Sequence, residues 1–72
     1  MKYVLIFSDG ESIEAETYET RKEAHEKMVK SYEESYPEDQ NETWADMSYL
    51  GEESALLYLN GDGTCCWSIY AV

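Results

Sequence analysis

The side chains able to do chemistry in this 72-residue sequence are two adjacent thiols (Cys65 and Cys66), one imidazole (His25) and sixteen carboxylates. Neighbouring residues of a strand point to opposite faces, which keeps Cys65 and Cys66 from converging on one metal or acting as a redox pair. No CxxC and no Cys/His ligand spacing for zinc occurs elsewhere. The two cysteines read as small apolar fillers, one inside and one partly exposed. A nucleophilic relay through His25 requires a cysteine or serine beside it, and nothing in the spacing supplies one, so His25 reads as a boundary or surface residue. Carboxylates are so abundant that no pair stands out as an acid/base couple, and a chain this short has little material for a cleft around one. Asp39-Gln40-Asn41-Glu42 and Asn60-Gly61-Asp62-Gly63 carry oxygen ligands but lack the EF-hand spacing, so both read as turns. Asn41-Glu42-Thr43 matches a glycosylation sequon that has no consequence without a secretory signal. Phosphate-loop, dinucleotide and zincin patterns are absent from the sequence. The expectation is a non-enzyme with no metal and no cofactor.

The elements that must carry these residues are well punctuated. Residues 2–7 form an apolar β-rich run, Ser8-Asp9-Gly10-Glu11 supplies a turn suited to a tight type I′ hairpin, and Ile13, Ala15 and Thr17 alternate with Glu14, Glu16 and Tyr18 as a strand with one wet face. Thr20, with Glu23 three residues later, writes a helix start. Ala24, Met28, Val29, Tyr32 and Tyr36 then make one apolar stripe, with Glu23–Lys27 and Glu26–Lys30 as i,i+4 pairs. Pro37 ends that helix at Tyr36. After an acidic loop, Glu38–Glu42, three strands are expected: Thr43–Leu50, Ala55–Leu59 and Thr64–Val72. In the last, Cys65, Trp67, Ile69 and Ala71 should face inward. The predicted order is ββαβββ, an α+β single domain, residues 1–72, with a mostly antiparallel sheet and one helix packed on a face.

Charge is the most informative feature. All five basic residues (Lys2, Arg21, Lys22, Lys27 and Lys30) fall in the first thirty positions beside seven acids, whereas residues 31–72 hold nine acids and no Lys or Arg. A net charge of -11 repels phosphates and anionic membranes and attracts basic proteins. Direct nucleic-acid and membrane binding are therefore disfavoured, and no segment approaches a membrane span or a full secretory leader, which points to the cytoplasm. The hydrophobic content, 43%, is too high for a disordered acidic tail.

On this reading the partner-binding surface comprises Glu33, Glu34, Glu38, Asp39, Glu42, Asp46, Glu52 and Glu53, with Tyr36 and Tyr70 as aromatic contacts of low entropic cost. Glu14 and Glu16, about 6.6 Å apart on one strand face, match the spacing of neighbouring backbone phosphates.

In size, acidity and tyrosine content the chain resembles the small proteins by which phages and mobile elements inhibit host defence, the anti-CRISPR and anti-restriction DNA mimics. The opening YVLIFSDGESIEAETYETRKEA and the ending NGDGTCCWSIYAV are similar to those of small acidic proteins of bacterial mobile elements. The resemblance implies a stoichiometric inhibitor seated in the basic nucleic-acid channel of a nuclease, where arginines that take phosphates or guanines would accept carboxylates. The competing expectation is an interaction module of the immunity or antitoxin kind, or a homodimer formed through an exposed edge strand.

Overall fold

The computed structural model describes residues 2–60 and 63–72. Five antiparallel strands form one sheet: β1 (Tyr3–Ser8), β2 (Ile13–Tyr18), β3 (Tyr49–Leu50), β4 (Ser54–Tyr58) and β5 (Thr64–Ala71), in the spatial order β2-β1-β5-β4-β3. Helix α1 (Arg21–Ser35) packs on one face, as the α+β reading requires, and a short helix, α2 (Glu42–Met47), precedes β3. No helix among the described residues is long and apolar enough to cross a membrane.

The β1–β2 hairpin is tied by its turn chemistry, although with a longer loop than a two-residue turn. The last paired residues are Ser8 and Ile13. Between them Asp9 Oδ1 accepts the backbone N–H groups of Glu11 and Ser12 at 2.9 and 2.8 Å, and Gly10 takes φ +93°, which a side chain would resist. The bonds from Ser12 and Glu11 also hold the Asp9 carboxyl below its usual range, because they favour the charged form.

Helix α1 starts where Thr20 accepts the Glu23 N–H at 3.2 Å, and the Thr20 hydroxyl donates in return to Glu23 Oε1. It stops at Tyr36, which turns extended ahead of Pro37. Ala24 and Met28 are fully buried from its apolar stripe, Tyr32 packs against the core, and Tyr36 stays 40% exposed. Ion pairs among the described residues join Lys2 to Glu19 and Arg21 to both Glu52 and Glu53, so the helical pairs Glu23–Lys27 and Glu26–Lys30 do not close.

The core is built on the middle strand. Cys65, Trp67 and Ile69 of β5 are buried with Leu5, Ala55 and Leu57 from its neighbours, while Ala71 is exposed at the strand end. Trp67 is the largest buried side chain. Its ring lies 5.1 Å from Phe7 and 5.6 Å from Tyr32, and its indole N–H donates to Ser31 Oγ at 3.0 Å.

Two further sequence expectations change. The segment expected as a strand over Thr43–Leu50 is helical through Met47, and only Tyr49–Leu50 pair with β4. The reason is a cap: Asn41 Oδ1 accepts the Thr43 N–H at 2.9 Å, and Asn41 is itself held by Asn60 Oδ1 at 2.8 Å. What reads as a glycosylation sequon is thus a helix N-terminus. The second change concerns β2, whose residues Ile13–Thr17 are exposed on both faces. Because Glu14, Glu16 and Tyr18 pair with Phe7, Leu5 and Tyr3, their side chains face the helix layer, and Ile13, Ala15 and Thr17 lie on the uncovered face. The turn expected at Asn60–Gly63 is described only at its ends, where Asn60 and Gly63 have positive φ and Leu59 N–H bonds the Gly63 carbonyl; Gly61 and Asp62 lie outside the described residues.

Candidate functional site

Sheet register sorts the acidic residues into two ends. Ser8 pairs with Cys66, and Tyr58 with Thr64, so the β1–β2 and β4–β5 turns share one end of the sheet. Helix α1 runs toward that end: its first residue, Arg21, bonds Glu52 and Glu53, whereas Ser31 reaches Trp67 in the middle of β5. The loop after α1 is then pinned there. Gln40 Nε2 donates to the Tyr58 carbonyl at 2.8 Å, and Asn60 Nδ2 donates to the Asp39 carbonyl at 3.3 Å.

Consequently Glu33, Glu34, Tyr36, Glu38, Asp39 and Glu42 gather around the end of α1 and the start of α2, with Asp46 one turn further on, and all seven side chains are exposed. Asp9 and Glu11, which the sequence reading did not include, join this end through the hairpin turn; they line a shallow groove with Leu59, Gly63 and Thr64. The turn's place opposite the C-terminus of α1 is set by sheet order, which no local pattern discloses. Lys30, a turn back on α1, is the nearest base along the chain.

Glu52 and Glu53 lie at the opposite end and are not part of this group. Both carboxylates contact the Arg21 guanidinium, at 3.3 and 3.0 Å, and His25 Nδ1–H donates to the Glu52 carbonyl at 3.0 Å. Their visible role is to fasten the β3–β4 turn to the start of α1. Tyr70, 55% exposed, also lies toward that end, on the uncovered sheet face.

The acidic end runs against local helix stability. An α-helix carries a negative partial charge at its C-terminus, where carboxylates cost about 0.3–1 kcal/mol each. Glu33 and Glu34 occupy the last turn of α1, and no basic residue is there to offset them. The helix dipole and the side chains therefore add to one negative field.

A groove of about 190 Å³ separates α1 from β2. Leu5, Phe7 and Trp67 form its floor, Glu14, Glu16 and Tyr18 one wall, and Lys27 and Ser31 belong to the other. Glu14 and Glu16 are thus not a bare row of negative charge, since a lysine faces the same space. The Tyr18 hydroxyl donates to Glu16 Oε2 at 2.6 Å. Burial first, and this bond to a carboxylate second, push the phenol up to about 12 from an ordinary 10. The neutral phenol is the form the fold favours, so its stabilising contribution is complete below pH 10 and fades as the pH rises toward 12. Titration followed by tyrosinate absorbance is expected to show one tyrosine ionising near the top of that window. In Tyr18→Phe that late step should vanish; its persistence would mean another tyrosine carries it.

The two cysteines separate as the strand geometry requires. Cys65 is buried against the helix layer, where burial pushes its thiol up, and Cys66 is exposed on the other face.

No family model, no curated protein and no solved structure matches this chain.

Proposed function

We propose that this protein is a non-enzymatic binding protein that uses its acidic end to occupy the basic, nucleic-acid-binding site of another protein, as an inhibitor of a nuclease would. One observation carries the reading: seven exposed acids of residues 31–46 and the β1–β2 turn, Glu33, Glu34, Glu38, Asp39, Glu42, Asp46 and Asp9, occupy one part of the molecule with the negative pole of α1 behind them. Carboxylates spread over a rigid helix end and two pinned loops can meet several arginines at once, and an arginine fork accepts a carboxylate much as it accepts a phosphate. Tyr36 supplies an aromatic contact at the edge of this surface, its ring 5.9 Å from that of Tyr32, which packs on the core.

The test is binding to nucleic-acid-processing enzymes from the native host at low and high salt, with and without DNA or RNA as competitor. Contacts of this kind weaken steeply as salt rises, since the Debye length falls from about 10 Å at 0.1 M to about 3 Å at 1 M. Loss of the complex with salt, together with displacement by nucleic acid, supports the reading. A complex that tolerates salt and coexists with nucleic acid rejects it.

A further inference from the structure

The sheet has a second face, and its strand positions carry no charge. Opposite α1 lie Val4, Ile6 and Ser8 of β1, Ile13, Ala15 and Thr17 of β2, Ser54, Leu56 and Tyr58 of β4, and Thr64, Cys66, Ser68 and Tyr70 of β5, all sharing a face by strand register. Not one is Asp, Glu, Lys or Arg, in a chain that is 29% charged. Of the described elements only α2 leans on this face, at one corner, where the Trp44 and Tyr58 rings lie 5.6 Å apart. Ile13 is 74% exposed and Tyr70 55%, while Val4, Ile6 and Leu56 remain partly open. A solvated sheet face ordinarily alternates to polar and charged residues.

We infer that this face binds a second copy of the chain, giving a two-fold dimer with the sheets packed face to face and both α1 helices outward. Charge selects the occupant. Two molecules of net charge -11 repel one another on any approach through their acidic surfaces, and the strand positions of this face are where neither presents a charge, with Glu42 and Asp46 of α2 and the Lys2–Glu19 pair at its rim. The polar groups are self-complementary as well. Ser8, Thr17, Ser54, Tyr58, Thr64, Ser68 and Tyr70 offer hydroxyls, each able to donate and to accept, so the same surface can satisfy itself across a two-fold axis.

Pairing through the β2 edge is the less favourable route to a dimer. An antiparallel β2–β2 ladder sets Glu14 and Glu16 of the two copies directly or diagonally opposite one another, and like charges there are destabilising. The other edge, β3, has two residues.

With strands about 4.8 Å apart and about 3.3 Å per residue, four strands of this face give a flat footprint of roughly 400 Å². Specific complexes bury about 800 Å² of accessible surface per partner, and a corrugated face exposes more than its footprint. The dimer therefore belongs at the small, concentration-dependent end of specific interfaces.

Sedimentation velocity on the intact chain over concentrations up to roughly 0.5 mM tests this directly. The expected result is a monomer–dimer equilibrium that tightens severalfold as salt rises, because screening relieves repulsion between the outer charges. That sign is opposite to the salt response of the acidic end, so failure of one proposal is distinguishable from failure of the other. Ile13→Glu with Tyr70→Glu alters two exposed side chains and should weaken the dimer about tenfold or more. Lys22→Glu adds the same two negative charges per chain on α1 and should leave it within about twofold. Labelling of Cys66 should slow as concentration rises, since the dimer covers it. A chain that stays monomeric throughout, or two variants that weaken the dimer equally, would overturn the inference and leave the face to a different partner.

Discussion

Replacing Trp67 with Ala is expected to unfold most of the protein at physiological temperature. Trp67 is 1% exposed at the centre of the middle strand, where it forms the middle of the contact between the sheet and α1. On one side it meets Phe7 of β1, on the other Tyr32 of α1, and its indole N–H is satisfied by Ser31. Removing a buried tryptophan costs roughly 3–5 kcal/mol once the cavity it leaves is included. A domain of this size rarely holds more than about 3–5 kcal/mol in total, so the loss is comparable to the whole. Urea unfolding followed by far-UV circular dichroism would measure it. Ser31→Ala separates the two contributions: it strands the indole N–H without opening a cavity and should cost about 1–3 kcal/mol. A Trp67→Ala protein that unfolds at the same urea concentration as the parent would mean that the helix is held by other contacts, Met28 and Ala24 being the remaining candidates.

How far the fold could be read in advance depends on whether each signal was local. The α1 cap at Thr20, its stop before Pro37 and the inward set Cys65, Trp67 and Ile69 are written in neighbouring residues, and each is found in place. Helix α2 reads as strand in the sequence because its cap depends on Asn41, which is positioned by Asn60 nineteen residues away. The partition of the acids was equally non-local. Residues 33–53 form one continuous acidic stretch along the chain, yet β3 carries Glu52 and Glu53 back to the start of α1, where Arg21, thirty-one residues from Glu52, awaits them. The groove between α1 and β2 depends on which strands the helix covers, and no periodicity in β2 decides that. The uncharged face was nearer to hand. Once the strands are placed, even-numbered positions in β1, β4 and β5 and odd-numbered ones in β2 are all neutral, a pattern that counting net charge conceals.

The partition of the acids also sets the second large effect. Converting Glu33, Glu34, Glu38, Asp39, Glu42 and Asp46 together to their amides is expected to weaken binding to a basic partner on the order of a hundredfold at low salt. Exposed charge pairs contribute about 0.2–1 kcal/mol apiece, so six near 0.5 kcal/mol make about 3 kcal/mol. The same substitutions should leave the fold intact or slightly more stable, because relief of about 0.3–1 kcal/mol each at Glu33 and Glu34, which oppose the dipole of α1, exceeds the similar single loss at Glu42 in the first turn of α2. Glu52→Gln with Glu53→Gln supplies the contrast: it removes both partners of Arg21, should cost a little stability and should leave affinity nearly unchanged. Thermal unfolding and titration calorimetry on the two sets would read stability and affinity separately. Opposite movement of the two quantities in the first set is the signature of residues kept for recognition against the interest of the fold. If both sets weakened binding alike, the partner would be responding to net charge, and the acidic end would hold no special place in the complex.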